Sequence, residues 1–263
     1  MSLRGEQMSE ANNNFERFST RVANYVKYRP DYPNQLIDTL IQQLKLTPAS
    51  KIADIGAGTG IFSQLLLDSG LSVTAIEPNQ KMLAAAKVQL VNYLDFSFRN
   101  NSAEQTGLTS NSLDLITVAQ AFHWFNNDAS IQEFKRILKQ QGQLALIWNQ
   151  RDLDCQFQQQ YHQLLLKYCE SYDSVNHMNL SAEQIKQYYS PNDVQVFEFR
   201  HMQHLDHSSL FGRLLSTSYC PASHTSEFTE LSTGLKALFE QFAEEGIIEF
   251  NYICKLYLGR LHV

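Results

Sequence analysis

Asp54, Gly56, Gly58 and Gly60 stand together in the run KIADIGAGTG, and a second acid, Glu77, follows one apolar segment later. Glycines lack a Cβ, so a turn built from them brings its backbone N–H groups, here including that of Ala57, close against a ligand. A carboxylate at the end of the next strand accepts two hydrogen bonds from a vicinal diol such as that of a ribose. Together these groups suit a nucleoside whose far end rests on the turn. The same residues also admit a plainer reading, a tight turn beside a solvated acid. A second chemical cluster is Gln120-Ala121-Phe122-His123-Trp124-Phe125, with one imidazole among aromatic rings. An imidazole with an ordinary pKa of ~6.5 receives a proton at neutral pH, and it serves equally as a structural donor or acceptor.

Hydrophobic periodicity supplies the elements that hold these residues. Lys51 to Ile55 reads as a buried strand ending at the glycines. From Ile61 the period becomes helical, with Ile61, Leu65 and Leu66 on one side and Ser63, Gln64 and Asp68 on the other, until Gly70 ends it. Leu71 to Ile76 is a second strand, placing Glu77-Pro78 at its carboxyl end, where open parallel sheets bind ligands. Gln80 to Gln89 is a helix with Met82, Leu83 and Ala86 inward, and Tyr93 to Phe98 alternates as a strand. Leu113 to Ala119 is a continuous buried strand that delivers Gln120 to Phe125 to the same sheet edge. Ser130 to Lys139 is amphipathic, Gln141-Gly142 turns, and Gln143 to Trp148 is a fifth strand. Strands alternating with helices predict an α/β, doubly wound, mainly parallel sheet.

On either side of this core the signals are local. Residues 1 to 14 are polar and expected to be disordered, and Phe15 to Tyr28 is a helix broken at Arg29-Pro30. Asn34 to Leu44 resumes helical period. Asp154 to Glu170 and Ser181 to Tyr189 are helices, the second capped by Ser181. Val194 to Leu205 and Phe250 to Leu258 alternate as strands. Between them Asp206 to Glu249 is too long for a plain connection and is expected to be a lid or binding insertion. Its Arg213, Ser216, Ser218 and Tyr219 combine one cation with hydroxyls, a set able to recognise a carboxylate or phosphate, or else a helix end with a solvated face.

Composition narrows the partners. Of 263 residues, 43% are apolar and 18% charged, enough apolar surface for a sizeable core. A formal net charge of -6 and the lack of a lysine- and arginine-rich run argue against nucleic acid. Cys155, Cys169, Cys220 and Cys254 form no C-x-x-C pair, so neither a metal site nor a disulfide frame is expected, and buried reduced thiols are. No apolar stretch has membrane-spanning length and the start carries no apolar leader, so a cytoplasmic monomer or homodimer is expected.

The glycine spacing chooses among nucleoside-binding families. A dinucleotide fingerprint places its third glycine where this chain has Ile61. With Asp54, Gly56, Gly58, Gly60 and Glu77, the stretch resembles the first motif and second-strand acid of the class I S-adenosylmethionine (SAM)-dependent methyltransferases. The run from Phe18 to Pro33 is similar to a segment that precedes the core in many of them, and Gln120 to Phe125 is similar to their fourth-strand motif A-x-H-W-F. Motifs carry the resemblance over about residues 15 to 150, and pattern alone carries it beyond. It implies a Rossmann-like seven-stranded sheet ending in an antiparallel pair, with a SAM-binding core and flap at 15–150. Residues 151–263 would complete the sheet and add a helical cap, with a lid at about 206–249.

The resemblance also implies roles. Asp54, Gly56, Ala57, Gly58 and Gly60 would floor the methionine half of SAM, with Tyr25 and Arg29 closing over its amino-acid end. Glu77, beside Pro78, would hold the ribose. Ser102, Ala103 and Glu104 would frame the adenine, although the family commonly has an acid where this chain has Ser102. Ala119 and Gln120 would complete the cofactor site. His123 would be the base, and Trp124, Arg213, Ser218 and Tyr219 would meet the substrate. The look is closest to the small-molecule branch, including trans-aconitate-like enzymes, which methylates oxygen, nitrogen or carbon of metabolites, carboxylic acids among them. No N-P-P-Y or D-P-P-Y follows the fourth strand, as it does in amino-group methyltransferases of DNA. A nicotinamide oxidoreductase and a SAM-binding protein without transfer remain as alternatives.

Overall fold

The computed structural model describes residues 22–173, 180–191 and 193–262. The segment expected to be disordered, 1 to 14, and the expected helix start at Phe15 lie outside the described residues.

The run after Lys51 forms β1 (Ile52–Ile55), buried at all four residues. It lies parallel between β2 (Val73–Ile76) and β4 (Leu113–Ala119), and β2 pairs in turn with β3 (Phe96–Arg99). β4 pairs in parallel with β5 (Leu138–Arg151). With β6 (Gln195–Leu205) and β7 (Ile248–Gly259) the order is β3-β2-β1-β4-β5-β7-β6, a mostly parallel seven-stranded sheet with an antiparallel end pair. The chain runs outward one way through β2 and β3, then returns beside β1 to run the other way through β4 and β5. The carboxyl ends of β1 and β4 thus flank the switch point where such sheets bind ligands.

The chain divides into two compact units. One comprises Asp31–Asn149, Leu180–Phe199 and Cys254–Val263. Here α2 (Asn34–Leu44) and α3 (Ile61–Asp68) bury Leu36, Ile37, Leu40, Phe62 and Leu66 with Ile52, Leu115 and Ile147. The alternate strand residues, among them Ala53, Ile116, Val118 and Leu146, pack with Ile131, Phe134 and Ile137 of α5 (Asp128–Ile137) and Ile185 of α7 (Ala182–Lys186). This two-sided burial explains the near-continuous apolar runs. Truncating fully buried Phe134 to alanine removes about 3–5 kcal/mol of such packing. Ser181 caps α7 in a full capping box with Gln184, and α4 (Gln80–Gln89) starts on Asn79, whose side chain accepts from the N–H groups of Lys81 and Met82.

The second unit draws on Met1–Pro30, Gln150–Asn179 and Arg200–Ile253. It contains α1 (Val22–Tyr28), α6 (Gln156–Tyr168), α8 (His207–Leu215) and α9 (Ser226–Phe242) around a core of Phe157, Tyr161, Leu165, Leu210, Leu214, Leu231, Leu235 and Phe250. α8 needs its glycine, because a Cβ at Gly212 would fall 2.2 Å from the Tyr28 ring.

Several local expectations are corrected. Ser63, read as solvent-facing, is fully buried, while Ile61 is only half-buried. The third strand begins at Phe96 rather than Tyr93. The turn at Gln141-Gly142 is a register shift inside β5, where Leu113 faces Leu138 and Leu115 faces Gln143. A Cβ at Gly142 would sit 2.8 Å from the Leu113 carbonyl, which is why glycine stands there. The cysteines are free, but Cys155 is half-buried where a buried thiol was expected. No helix of the described residues is long and apolar enough to cross a membrane.

Candidate active site

β1 and β2 deliver the turn and the acid side by side. Gly56, Gly58 and Gly60 all adopt positive φ, +71°, +59° and +85°, which side chains resist. Packing also excludes a side chain at two of them. A Cβ at Gly56 would lie 2.6 Å from Ala121 Cβ, and one at Gly60 would lie 2.9 Å from Leu90 Cδ1. At Gly58 a Cβ would meet only Met82 Sδ, at 3.8 Å, so this glycine borders open space.

The turn's N–H groups are engaged inside the protein. Those of Gly56 and Ala57 donate to the Ile76 carbonyl at 2.8 and 3.2 Å, that of Gly60 to the Ala57 carbonyl at 2.9 Å, and that of Gly58 to Glu77 Oε2 at 2.8 Å. The expectation that they face a ligand is therefore corrected for these four: the turn offers close approach more than free donors. Thr59, missed in the sequence reading, is 1% exposed, and its Oγ1 has no protein partner. A buried hydroxyl of this kind is satisfied by a ligand or water.

Glu77 is 6% exposed; its second oxygen accepts the Asn79 N–H at 2.8 Å. Each carboxylate oxygen keeps a further lone pair, so a diol can still bind. Burial, opposed by these two hydrogen bonds and aided by the nearby Asp54 charge, raises its pKa to about 7. Asn100 Nδ2 donates to the carbonyls of Glu77 and Pro78, fixing the strand end.

Asp54, 1% exposed, faces Thr117 across the β1–β4 register. It accepts Ser63 Oγ at 2.7 Å and Thr117 Oγ1 at 3.0 Å, and burial raises its pKa to about 6 against those bonds. One carboxylate thus ties β1, α3 and β4 together beneath the turn. Ser63 escaped the sequence reading because a hydroxyl in a helical period reads as solvent-facing unless its buried partner is known, and Thr117, although inside a run read as buried, gave no sign that it meets Asp54.

The neighbouring segments complete this half. Ala103 is buried, and Ser102 is bridged to Gln105. Exposed Glu104 accepts Asn127 Nδ2 at 3.1 Å. Glu133 Oε1 accepts both the N–H and the hydroxyl of Thr106 and pairs with Arg136, which with those bonds holds its carboxyl down at about 2. After half-buried Ala119, Gln120 takes φ +57°, a strained value for a residue with a side chain, while its Nε2 donates to the Asn149 carbonyl at 3.0 Å. Phe122, His123 and Trp124 form a 3-10 turn. Phe122 is fully buried against Trp148, Tyr188 and Phe125, whereas His123 and Trp124 are half-buried with ring centroids 4.6 Å apart.

Tyr25, Arg29, Arg213, Ser218 and Tyr219 fall in the second unit. Arg29 lies over the Tyr25 ring at 4.8 Å and donates through Nη2 to the Ser216 carbonyl at 3.3 Å. Arg213 is 5% exposed, donates through Nε to Tyr252 Oη at 2.6 Å and stacks on Phe250 at 4.3 Å. The solvated-face reading of Arg213 is thereby excluded. Ser216 turns its hydroxyl onto the Arg213 carbonyl, Ser218 is half-buried, and Tyr219 packs against Tyr172.

Residues 53–146 match the family model described as a methyltransferase domain. This stretch of the chain is thus similar to a methyltransferase domain. Similar proteins include an uncharacterized methyltransferase of Schizosaccharomyces pombe, 34% identical over 57% of this chain and 59% of that one. Another, from Mycobacterium tuberculosis, is 36% identical over 51% of this chain and 53% of its own. The chain thus spans little more than half the length of these relatives. Among solved structures, a protein provisionally named a type II methyltransferase, from Anaeromyxobacter dehalogenans, matches with a TM-score of 0.68 over 89% of this chain and 98% of its own, at 20% identity. Phosphoethanolamine N-methyltransferase 2 of Haemonchus contortus, solved in complex with SAM, matches with a TM-score of 0.56 over 93% of this chain and 57% of its own, at 15% identity. At such identities the likeness concerns the fold. The residues present suit SAM: Glu77 keeps lone pairs that a ribose diol would engage, Gly58 borders open space, and the adjacent Thr59 hydroxyl has no partner among the described residues.

Proposed function

We propose that this protein transfers a methyl group from SAM to an oxygen, nitrogen or carbon of a small metabolite. The observation that carries the reading is Glu77, a buried acid at the carboxyl end of β2 with one oxygen bonded to the glycine turn and lone pairs remaining for a diol. SAM supplies a methyl group already activated by the sulfonium charge, so the chain's residues contribute position more than covalent chemistry. Glu77 orients the nucleoside, Gly58 leaves room for close approach, and Asp54 holds the turn from below through Ser63 and Thr117. For an oxygen or nitrogen acceptor, His123 takes the proton that the acceptor loses; a carboxylate acceptor needs no base. The net charge of -6 supports a small-molecule acceptor over a nucleic acid.

Isothermal titration of the full chain with SAM, S-adenosylhomocysteine and NADH tests the reading. SAM and S-adenosylhomocysteine should bind and NADH should not. Tight NADH binding without SAM binding would restore the oxidoreductase alternative.

A further inference from the structure

Among the described residues of the second unit, two buried arginines have no acidic partner. Arg151, at the end of β5, is 8% exposed and Arg213 is 5% exposed. Neither belongs to an ion pair among the described residues. Their surroundings are aromatic instead. Arg151 lies over the rings of Tyr161 and Tyr172 at 5.6 and 5.2 Å, and Arg213 over Phe250 and Tyr252 at 4.3 and 5.5 Å. The two sets are contiguous, since the rings of Tyr161 and Phe250 meet edge to face at 5.5 Å. Both guanidinium groups act electrostatically on Tyr161 and on Tyr172.

Burying one guanidinium costs several kcal/mol unless it is compensated, and ring faces return only part of that. Arg213 is partly satisfied by Tyr252 Oη. Arg151 donates through Nη2 to Tyr172 Oη, which also bonds His162 Nδ1. Two buried groups here remain with no partner among the described residues, Arg151 Nη1 and the Tyr161 hydroxyl, on side chains already in contact with each other. A guanidinium N–H and a phenol O–H on adjoining side chains can both donate to one anionic oxygen, and a second cation nearby suits a second negative charge.

We propose that Arg151, Arg213 and Tyr161 form a binding site for a small organic anion, a carboxylate or phosphate. The net charge of -6 makes this cationic pair a local feature rather than part of a basic surface. The site stands on the second unit alone and holds whether or not the methyl-transfer reading does.

The test is titration calorimetry and thermal shift on the full chain with succinate, tricarballylate, phenyl phosphate and inorganic phosphate, at constant ionic strength against chloride. At least one of these anions should bind saturably and raise Tm, and neutral dimethyl succinate should do neither. Arg151→Met should weaken that binding about tenfold or more, the range for losing a charged hydrogen-bond donor, while leaving Tm without anion unchanged or higher. Tyr161→Phe, which keeps the ring, should weaken it several-fold and decides the matter if Arg151→Met does not fold. The proposal is overturned if none of the probes binds better than chloride, or if the variants that fold bind as the native chain does.

Discussion

Glu77 Oε2 accepts the Gly58 N–H at 2.8 Å, so the acid proposed to hold the ribose also pins the glycine turn. Glu77→Ala should therefore cost about 2 kcal/mol of SAM affinity, the range for truncating a charged hydrogen-bond partner. It should also lower the Tm of the ligand-free protein, because the Gly58 and Asn79 N–H groups lose their acceptors. Calorimetry and thermal melts check both effects. Unchanged affinity with lowered Tm would leave Glu77 a purely structural acid.

The raised pKa values of Asp54 and Glu77, about 6 and about 7, give two opposite pH trends. In the folded state both groups hold their protons more tightly than in the unfolded chain. Their contribution to stability is fully present below the unfolded values near 4 and is lost as pH rises through 6 and 7. SAM affinity should move the other way, rising between pH 6 and 8 as Glu77 ionises and accepts the diol better. Glu77→Gln should flatten the affinity trend. An affinity that falls over this range in the native chain would contradict the ribose role.

The glycines should separate by substitution. Gly56→Ala drives a Cβ to 2.6 Å from Ala121 in a left-handed conformation and should destabilise the fold by about 1–3 kcal/mol or more. Gly58→Val meets no backbone, so its main effect beyond strain at φ +59° should be loss of SAM binding. Circular dichroism melts and titration distinguish the two, and retained SAM binding in folded Gly58→Val would remove the cofactor from this turn.

Much of the first unit was legible because parallel strands buried on both faces write themselves as apolar runs, as Leu113 to Ala119 does. The glycines and Glu77 stood out through spacing alone. Ser63 and Thr59 did not, since a hydroxyl carries no sign of burial until its partner is placed; Asp54 supplies that sign for Ser63, and Thr117 was legible as buried within its strand but not as a partner of Asp54. Arg151 was hidden for a related reason: it follows the strand run ending at Trp148, where a charge reads as a loop, and its aromatic partners come from distant Tyr161 and Tyr172. The register shift at Gly142 was mistaken for a turn because both need glycine.

His123 distinguishes acceptor classes. With a hydroxyl or amine acceptor, His123→Ala should lower kcat by about 10²-fold or more and erase the acidic limb of the pH–rate profile. With a carboxylic acid acceptor the change should appear mainly in KM. Full kcat across the pH range with unchanged SAM affinity would return His123 to a structural role beside Trp124.

The most direct measurement is transfer itself. The full chain is incubated with SAM labelled in its methyl group and a small-molecule extract, and the label is followed by mass spectrometry together with S-adenosylhomocysteine. Label should appear on a small molecule in proportion to S-adenosylhomocysteine formed, and Glu77→Ala at subsaturating SAM should reduce both together. SAM bound by the native chain but neither labelled product nor S-adenosylhomocysteine formed would contradict methyl transfer.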